Sequence, residues 1–386
     1  MQLYDSDRHE ELIPEQWNSA KVIEIVNDIF RRTLENFDAD TFWPADAKED
    51  ASISSNKSIY FGAAGTLWAL DQLSNYLNIP LPFDKLDLIK TIHAKYLSEP
   101  DTEEVVPSFF LGESGILLLL YKYNLSKDTA DRLFEVVQGN IRNVTLEALW
   151  GAPGTMIAAS YMYEWTGESR WANLFLENAR YLIDELKESV SRGELIWTQD
   201  MYGHKRRFIG AGHGYFGNIF ALLKSLNLLS EAEKDFLLKN IEETTSQLAI
   251  TFDGLANWAP IISDDSSKLP ILQWCHGAPG VITSLESYPR GVSADVEELL
   301  VAGGELIWKA GPLKKGIALC HGTDGNGYAF LELYKRTGNS LWLERARKFA
   351  MHACGQRNGR FSLFTGELGL GVYLVSCLSG TRLSGT

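Results

Sequence analysis

Two cysteines of this chain stand in nearly the same frame. "WCHGAPG" (274–280) and "LCHGTDG" (319–325) both contain Cys-His-Gly-x-x-Gly, so a thiol and an imidazole are paired twice, as Cys275-His276 and Cys320-His321. A third imidazole, His213, lies in "GAGHG" (210–214). Thiolate and imidazole are the donors that zinc takes in tetrahedral sites. Cys275, Cys320 and one histidine would give three ligands and an open fourth position, as a catalytic ion requires. If both His276 and His321 joined the two cysteines, the shell would close and the ion would be structural. The residues alone leave both arrangements open.

These residues are far apart in sequence, so the question becomes which elements bring them together. Gly-x-x-Gly occurs seven times, at 62–65, 112–115, 151–154, 214–217, 277–280, 322–325 and 366–369, with first-glycine spacings of 50, 39, 63, 63, 45 and 44 by subtraction. A strongly apolar segment follows each motif, for example "ILLLLYKY" and "LGVYLVSCL". An amphipathic segment with apolar residues at i, i+3, i+4 and i+7 precedes each one. The clearest of these are 15–37, 169–190, 231–250 and 340–353, with weaker examples at 83–98, 127–143 and 294–310. Helices that are apolar nearly all round must be buried, and amphipathic ones must cover them.

An open stack of such pairs would carry polar capping repeats, and none of the seven pairs is distinctly more polar. The pattern therefore predicts an all-α fold, an α/α toroid of seven inner and seven outer helices, as one domain over residues 1–386. Two long connections, 193–214 and 252–277, fall before repeats four and five. Their "ELIWT" and "LPILQW" pieces are expected to form short β excursions.

In register on the first glycine, repeats four, five and six carry His213, Cys275-His276 and Cys320-His321 at the two preceding positions. The other repeats carry mainly apolar residues there. If all inner helices run the same way, the motifs share one rim and these side chains share one mouth. The helix starts would add partial positive charge and free N–H groups, which favour anions. Cys354 and Cys377 fall off this column and read as small buried hydrophobes. His352 and Cys354, at i and i+2 of a helix, point to different faces. His204 reads as a solvated loop residue. Glu113, Asp324 and Glu367, inside Gly-x-x-Gly turns, read as capping groups for the following helices.

Composition excludes several classes. A chain with 45% hydrophobic and 22% charged residues can bury a large core. The net charge of −14 disfavours non-specific nucleic-acid or anionic-membrane binding. No apolar run reaches the ~18–20 residues needed to span a bilayer, and the acidic, polar start has no signal-peptide pattern. Reduced thiols in the cytoplasm are the expectation. A toroidal glycosidase would need paired acids at the mouth, which the Cys/His column does not supply.

"WCHGAPG" and "LCHGTDGNGYAF", with "GAGHGYFG" upstream and "FSLFTGELG" near the end, resemble the LanC-like (lanthionine synthetase C-like) family over essentially the whole chain. The resemblance implies one zinc ion held by Cys275, Cys320 and His321, with His276 a neighbour on the substrate side and not a ligand. It implies that His213 is the proton-transfer residue. The chemistry implied is thia-Michael addition of a thiol to dehydroalanine or dehydrobutyrine in a peptide or protein. "GPLKKGIALCHG" (311–322) is closer to the stand-alone, glutathione-associated members than to dedicated lanthipeptide cyclases. Ile271 stands where some cyclases carry arginine. Lys314 and Lys315 are then candidates for glutathione's carboxylates, with Arg206 and Arg207 as weaker ones. Two alternatives belong beside this reading: a cyclase acting within one precursor peptide, and a non-catalytic zinc- and glutathione-binding scaffold.

Overall fold

A computed structural model describes residues 2–46, 55–263 and 269–380. Amphipathic helices alternate with apolar ones along the chain. The amphipathic set is α1 (Ser19–Glu35), α3 (Lys85–Ser98), α5 (Lys127–Gly139), α7 (Ser169–Ser191), α9 (Glu231–Leu248), α11 (Ala294–Ala310) and α13 (Ser340–Gly355). The apolar set is α2 (Ala63–Leu77), α4 (Glu113–Asn124), α6 (Ala152–Thr166), α8 (Tyr215–Leu223), α10 (Ala278–Ser284), α12 (Thr323–Thr337) and α14 (Glu367–Ser379). In α1 only one stripe is buried, Val22, Val26, Ile29, Phe30 and Thr33. In α14 every residue from Glu367 to Cys377 is buried. Among the described residues, no helix is long and apolar enough to cross a membrane.

Contacts gather the chain into two compact units. One consists of residues 1–5, 107–110 and 127–309, and so holds α5 to α11 except the last residue of α11; within it α6 packs on α7 and α8, and α8 on α10. The other consists of residues 6–106, 111–126 and 310–386, with α12 on α13 and α14 against α1, α2, α12 and α13.

The two helix sets start differently. Several amphipathic helices have side-chain caps: Asn18 accepts from Lys21 N, Asn339 from Leu341 N, and Ser230 and Glu233 form a capping box. Every apolar helix starts just after the first glycine of a motif, with no side-chain cap from that residue. The preceding loop instead curls under the helix and offers its carbonyls. Ala63, Ala64 and Gly65 donate to Asn56, Lys57 and Ser58; Tyr215 and Phe216 to Phe208 and Ile209; Thr323 and Gly325 to Gly316 and Ala318. At α2, α8 and α12 the expectation of free N–H groups is therefore corrected: loop carbonyls satisfy these donors, and the helix dipole remains to favour anions.

This loop also explains the repeated glycines. A Cβ on Gly65 would lie 2.0 Å from the Ile59 carbonyl oxygen, and one on Gly280 1.9 Å from that of Trp274. The second glycine of the motif is where the loop's backbone crosses the helix. Gly280→Ala should lower stability by about 3 kcal/mol or prevent folding, as overpacking against immovable backbone does. Gly139→Ala, at the end of α5 with nothing within 4 Å of the new methyl, should change it by less than about 1 kcal/mol. Chemical denaturation of both variants checks the contrast.

Two β hairpins lie in the long connections, β1 (Gln199–Met201) with β2 (His204–Arg206) and β3 (Ala249–Phe252) with β4 (Leu255–Trp258). The strands expected at "ELIWT" and "LPILQW" do not form. Ile196 and Trp197 are both buried, and the Trp197 indole donates to the Leu182 carbonyl. Consecutive burial fits core packing, not the alternation of a half-exposed strand. The hairpins form instead around the two-residue turns Tyr202-Gly203 and Asp253-Gly254, where all four residues have positive φ.

Candidate active site

Three loops of the 127–309 unit build a constellation. The loop before α10 is a tight turn in which Gln273 and His276 exchange backbone bonds of 2.9 and 3.0 Å, holding Cys275 between them. Asn257, buried in β4, fixes this loop by donating to the Leu3 and Ile271 carbonyls and accepting from Ala278 N at 2.8 Å. The Gln273 side-chain amide donates to Cys275 Sγ at 2.9 Å.

The loop before α8 packs directly on Cys275. A Cβ on Gly210 would meet the Cys275 carbonyl at 2.1 Å, and one on Gly212 would meet the Cys275 Cβ at 3.0 Å. Gly212 N donates to the Cys275 carbonyl at 3.3 Å. The two glycines of "GAGHG" are thus the condition for His213 to stand beside Cys275. Phe208 flanks both imidazoles, its ring centroid 6.0 Å from His213 and 6.4 Å from His276.

The loop before α6 supplies Glu147, whose side chain is fully buried. Its Oε2 lies 2.9 Å from His213 Nδ1 and accepts from Leu149 N at 3.0 Å, while its Oε1 accepts from Trp150 N. Those backbone bonds lock the carboxylate, so it orients the imidazole and leaves Nε2 for the open side. Burial works to lower the His213 pKa, but the Glu147 hydrogen bond and charge outweigh it, and the nearby Cys275 adds to them; the net effect raises it.

In the other unit, Cys320 is buried, and three backbone bonds hold the loop that carries it and His321. Cys320 N donates to the Phe364 carbonyl, Gly322 N to Ala318, and Thr323 N to Gly316. The residues before the loop are strapped by the N-terminal segment. Lys314 N donates to Arg8, Glu10 N to Pro312, and Glu10 Oε1 lies 2.9 Å from His352 Nε2 and 2.7 Å from Gln356 Nε2. The Lys314 ammonium donates to the Asp7 carbonyl at 2.9 Å, and Lys315 is exposed beside it.

Several expectations from sequence meet their structural surroundings here. Burial pushes the Cys354 thiol up to about 12 and raises that of Cys377, as suits unreactive core thiols. His204 is exposed. Glu113 faces His93 at 3.1 Å, and Glu367 accepts from Arg32, Arg357 and Gly359 N. Asp324 is fully buried, its carboxyl has no hydrogen bond among the described residues, and burial raises its pKa well above the carboxylate range.

Sequence reading missed Glu147, Gln273 and Phe208. A signal for two of them lies four residues before each first glycine. That column reads Ser58, Ser108, Glu147, Gly210, Gln273, Ala318 and Ser362, and every one of its residues is buried. Glu147 and Gln273 are its only long polar members, in repeats three and five.

The donors suit zinc one by one: a buried thiol with an amide donor on its sulfur, a second buried thiol, and a half-buried imidazole at His321. Among the described residues, no three His, Cys, Asp or Glu side chains already stand gathered as a ligand set.

The comparisons with known proteins agree with the architecture. "Nisin cyclase" superposes with a TM-score of 0.63 at 16% identity, covering 92% of this chain and 93% of that one. That similarity shows a shared fold, an all-α α/α toroid of paired helices. A zebrafish (Danio rerio) protein, "Glutathione S-transferase LANCL1", is 31% identical over 298 residues, 71% of this chain and 72% of its own. The Arabidopsis thaliana "LanC-like protein GCL1" is 27% identical over 223 residues, 55% of this chain and 47% of its own. The lanthionine synthetase C-like family matches residues 53–385, and the chain belongs to that family.

Proposed function

We propose that the chain catalyses zinc-dependent addition of a thiol to dehydroalanine or dehydrobutyrine residues of a peptide or protein, with glutathione as the thiol and the cytoplasm as the place. The observation that carries this is His213, oriented by buried Glu147 and held against Cys275 by two glycines. An imidazole fixed in this way beside a thiol donor is arranged for proton transfer, which a purely structural metal site does not need. The name of the zebrafish relative supports glutathione.

Cys275, Cys320 and His321 would hold one zinc ion. Bound there, zinc supplies Lewis acidity that ionises a thiol near neutral pH. The chain's own residues manage the rest. The sulfur–Cβ bond forms as the Cα=Cβ π bond breaks, and its electrons move to the acceptor carbonyl as an enolate. His213 Nε2 delivers a proton to Cα, and the proton released by the thiol restores the imidazolium, so the addition balances. Glu147 keeps the imidazolium in place throughout. Phe208 lies beside both imidazoles and would border the acceptor on that side. Lys315 would meet a glutathione carboxylate, and Lys314 would exchange its contact with the Asp7 carbonyl for another.

Incubating the zinc-loaded chain with glutathione and a dehydroalanine peptide, with adducts followed by mass spectrometry, tests the reading. Adduct formation faster than the spontaneous addition is expected. A rate equal to the spontaneous one, with zinc present, would overturn it in favour of a cyclase needing its own precursor or of a non-catalytic scaffold.

A further inference from the structure

The β1–β2 hairpin breaks a local rule at its tip. Its turn residues Tyr202 and Gly203 have φ of 56° and 79°, the mirror-image turn that asparagine, aspartate and glycine adopt readily. The chain's other hairpin uses that ordinary solution, Asp253 at 54° and Gly254 at 73°. A bulky aromatic at left-handed φ is strained. The turn has no need of it, and 77% of Tyr202 is exposed. Its ring instead stands edge-on to Trp150, centroids 6.0 Å apart at 80°. Trp150 is the residue whose amide binds Glu147, the partner of His213. From the hairpin tip to the imidazole the contacts are continuous.

Charge marks the same element. The protein carries a net −14, yet residues 204–207 read His-Lys-Arg-Arg, and all three residues of β2 are exposed. The acid opposite Lys205 in the ladder is Asp200, whose Oδ1 is occupied by Gly203 N at 2.9 Å. Among the described residues β2 pairs only with β1. The segment then runs through Phe208, which bridges to Ile261 and flanks His213 and His276.

We infer that this hairpin is the docking arm for the peptide acceptor, which is an extended, acidic segment. Its backbone adds along β2, its carboxylates face Lys205, Arg206 and Arg207, and an apolar side chain rests on the Tyr202–Trp150 pair. This rests on the proposed thiol addition but is tested apart from it. A fluorescein-labelled Glu-rich peptide bearing one dehydroalanine is titrated with the zinc-loaded chain, with a Lys205→Glu variant, and with Tyr202→Gly. The glycine suits the turn, so Tyr202→Gly removes the ring while relieving strain.

Each variant should weaken binding by roughly tenfold, and added salt should weaken wild-type binding. In turnover, KM for the acidic peptide should rise with kcat unchanged, while N-acetyl-dehydroalanine methyl ester is used at the wild-type rate. Equal binding by wild type and variants, no binding at all, or equal binding of a Lys-rich peptide would overturn the inference. So would single-stranded DNA or anionic vesicles competing as well as the peptide. Hairpin-dependent binding without turnover of any acceptor would sink the proposed reaction and leave the docking arm standing.

Discussion

A Cys320→Ala chain should be purified folded but without stoichiometric zinc and without turnover above the spontaneous addition. The loop around Cys320 is fixed by backbone bonds from Cys320, Gly322 and Thr323 to Phe364, Ala318 and Gly316, and none of these needs the sulfur. Truncation therefore removes a donor without removing the loop. Losing a group that merely supports a ligand costs roughly 10–100-fold in metal affinity, so losing a ligand should cost at least about 100-fold. Gln273→Leu, which removes the donor on Cys275 Sγ, should fall within that supporting range. Cys354→Ala should retain the ion, since that thiol is held protonated by burial. Metal analysis finding one zinc per chain in Cys320→Ala would remove Cys320 from the ligand set.

Much of the fold was legible because its period is carried by residue types that have few alternatives. The stripe of α1 and the unbroken burial of α14 follow from hydrophobic spacing alone. The Gly-x-x-Gly motif is readable because a Cβ on Gly65 or Gly280 would occupy the place of a carbonyl oxygen, so no other residue fits. The hairpins were misplaced because Trp197 and Ile196 are apolar for burial, not for strand pairing, and a short apolar run does not distinguish the two.

The site was half legible for a related reason. Thiols and imidazoles announce their chemistry by type, whereas Glu147 is one of many acids until its position in the buried column is compared across repeats. The first-turn N–H groups were misjudged because the carbonyls that satisfy them come from loops without a sequence signature. Lys314, a candidate for a glutathione carboxylate by its place before Cys320, donates to the backbone oxygen of Asp7, a contact between residues 307 apart that local sequence does not reveal.

His213→Ala should keep its zinc and lose turnover by roughly 10²–10⁴-fold, the range for removing a positioned general acid. Retained metal separates proton delivery from ligation, because His213 belongs to neither Cys-His frame. Glu147→Gln refines the point. The glutamine keeps one acceptor oxygen, enough for Leu149 N or Trp150 N but not both, and the negative charge beside His213 Nδ1 is gone. Burial then acts on the imidazole with less opposition, and its pKa falls from the raised value that Glu147 maintains. The proton-donating form is present below that pKa and disappears as pH rises through it. The alkaline limb of the rate profile should therefore move to lower pH in Glu147→Gln, with zinc content unchanged. A structural role for Glu147 would lower the rate equally at every pH. Wild-type turnover in His213→Ala would remove it as the proton carrier, and an unmoved limb in Glu147→Gln would mean that the carboxylate only braces the loop before α6.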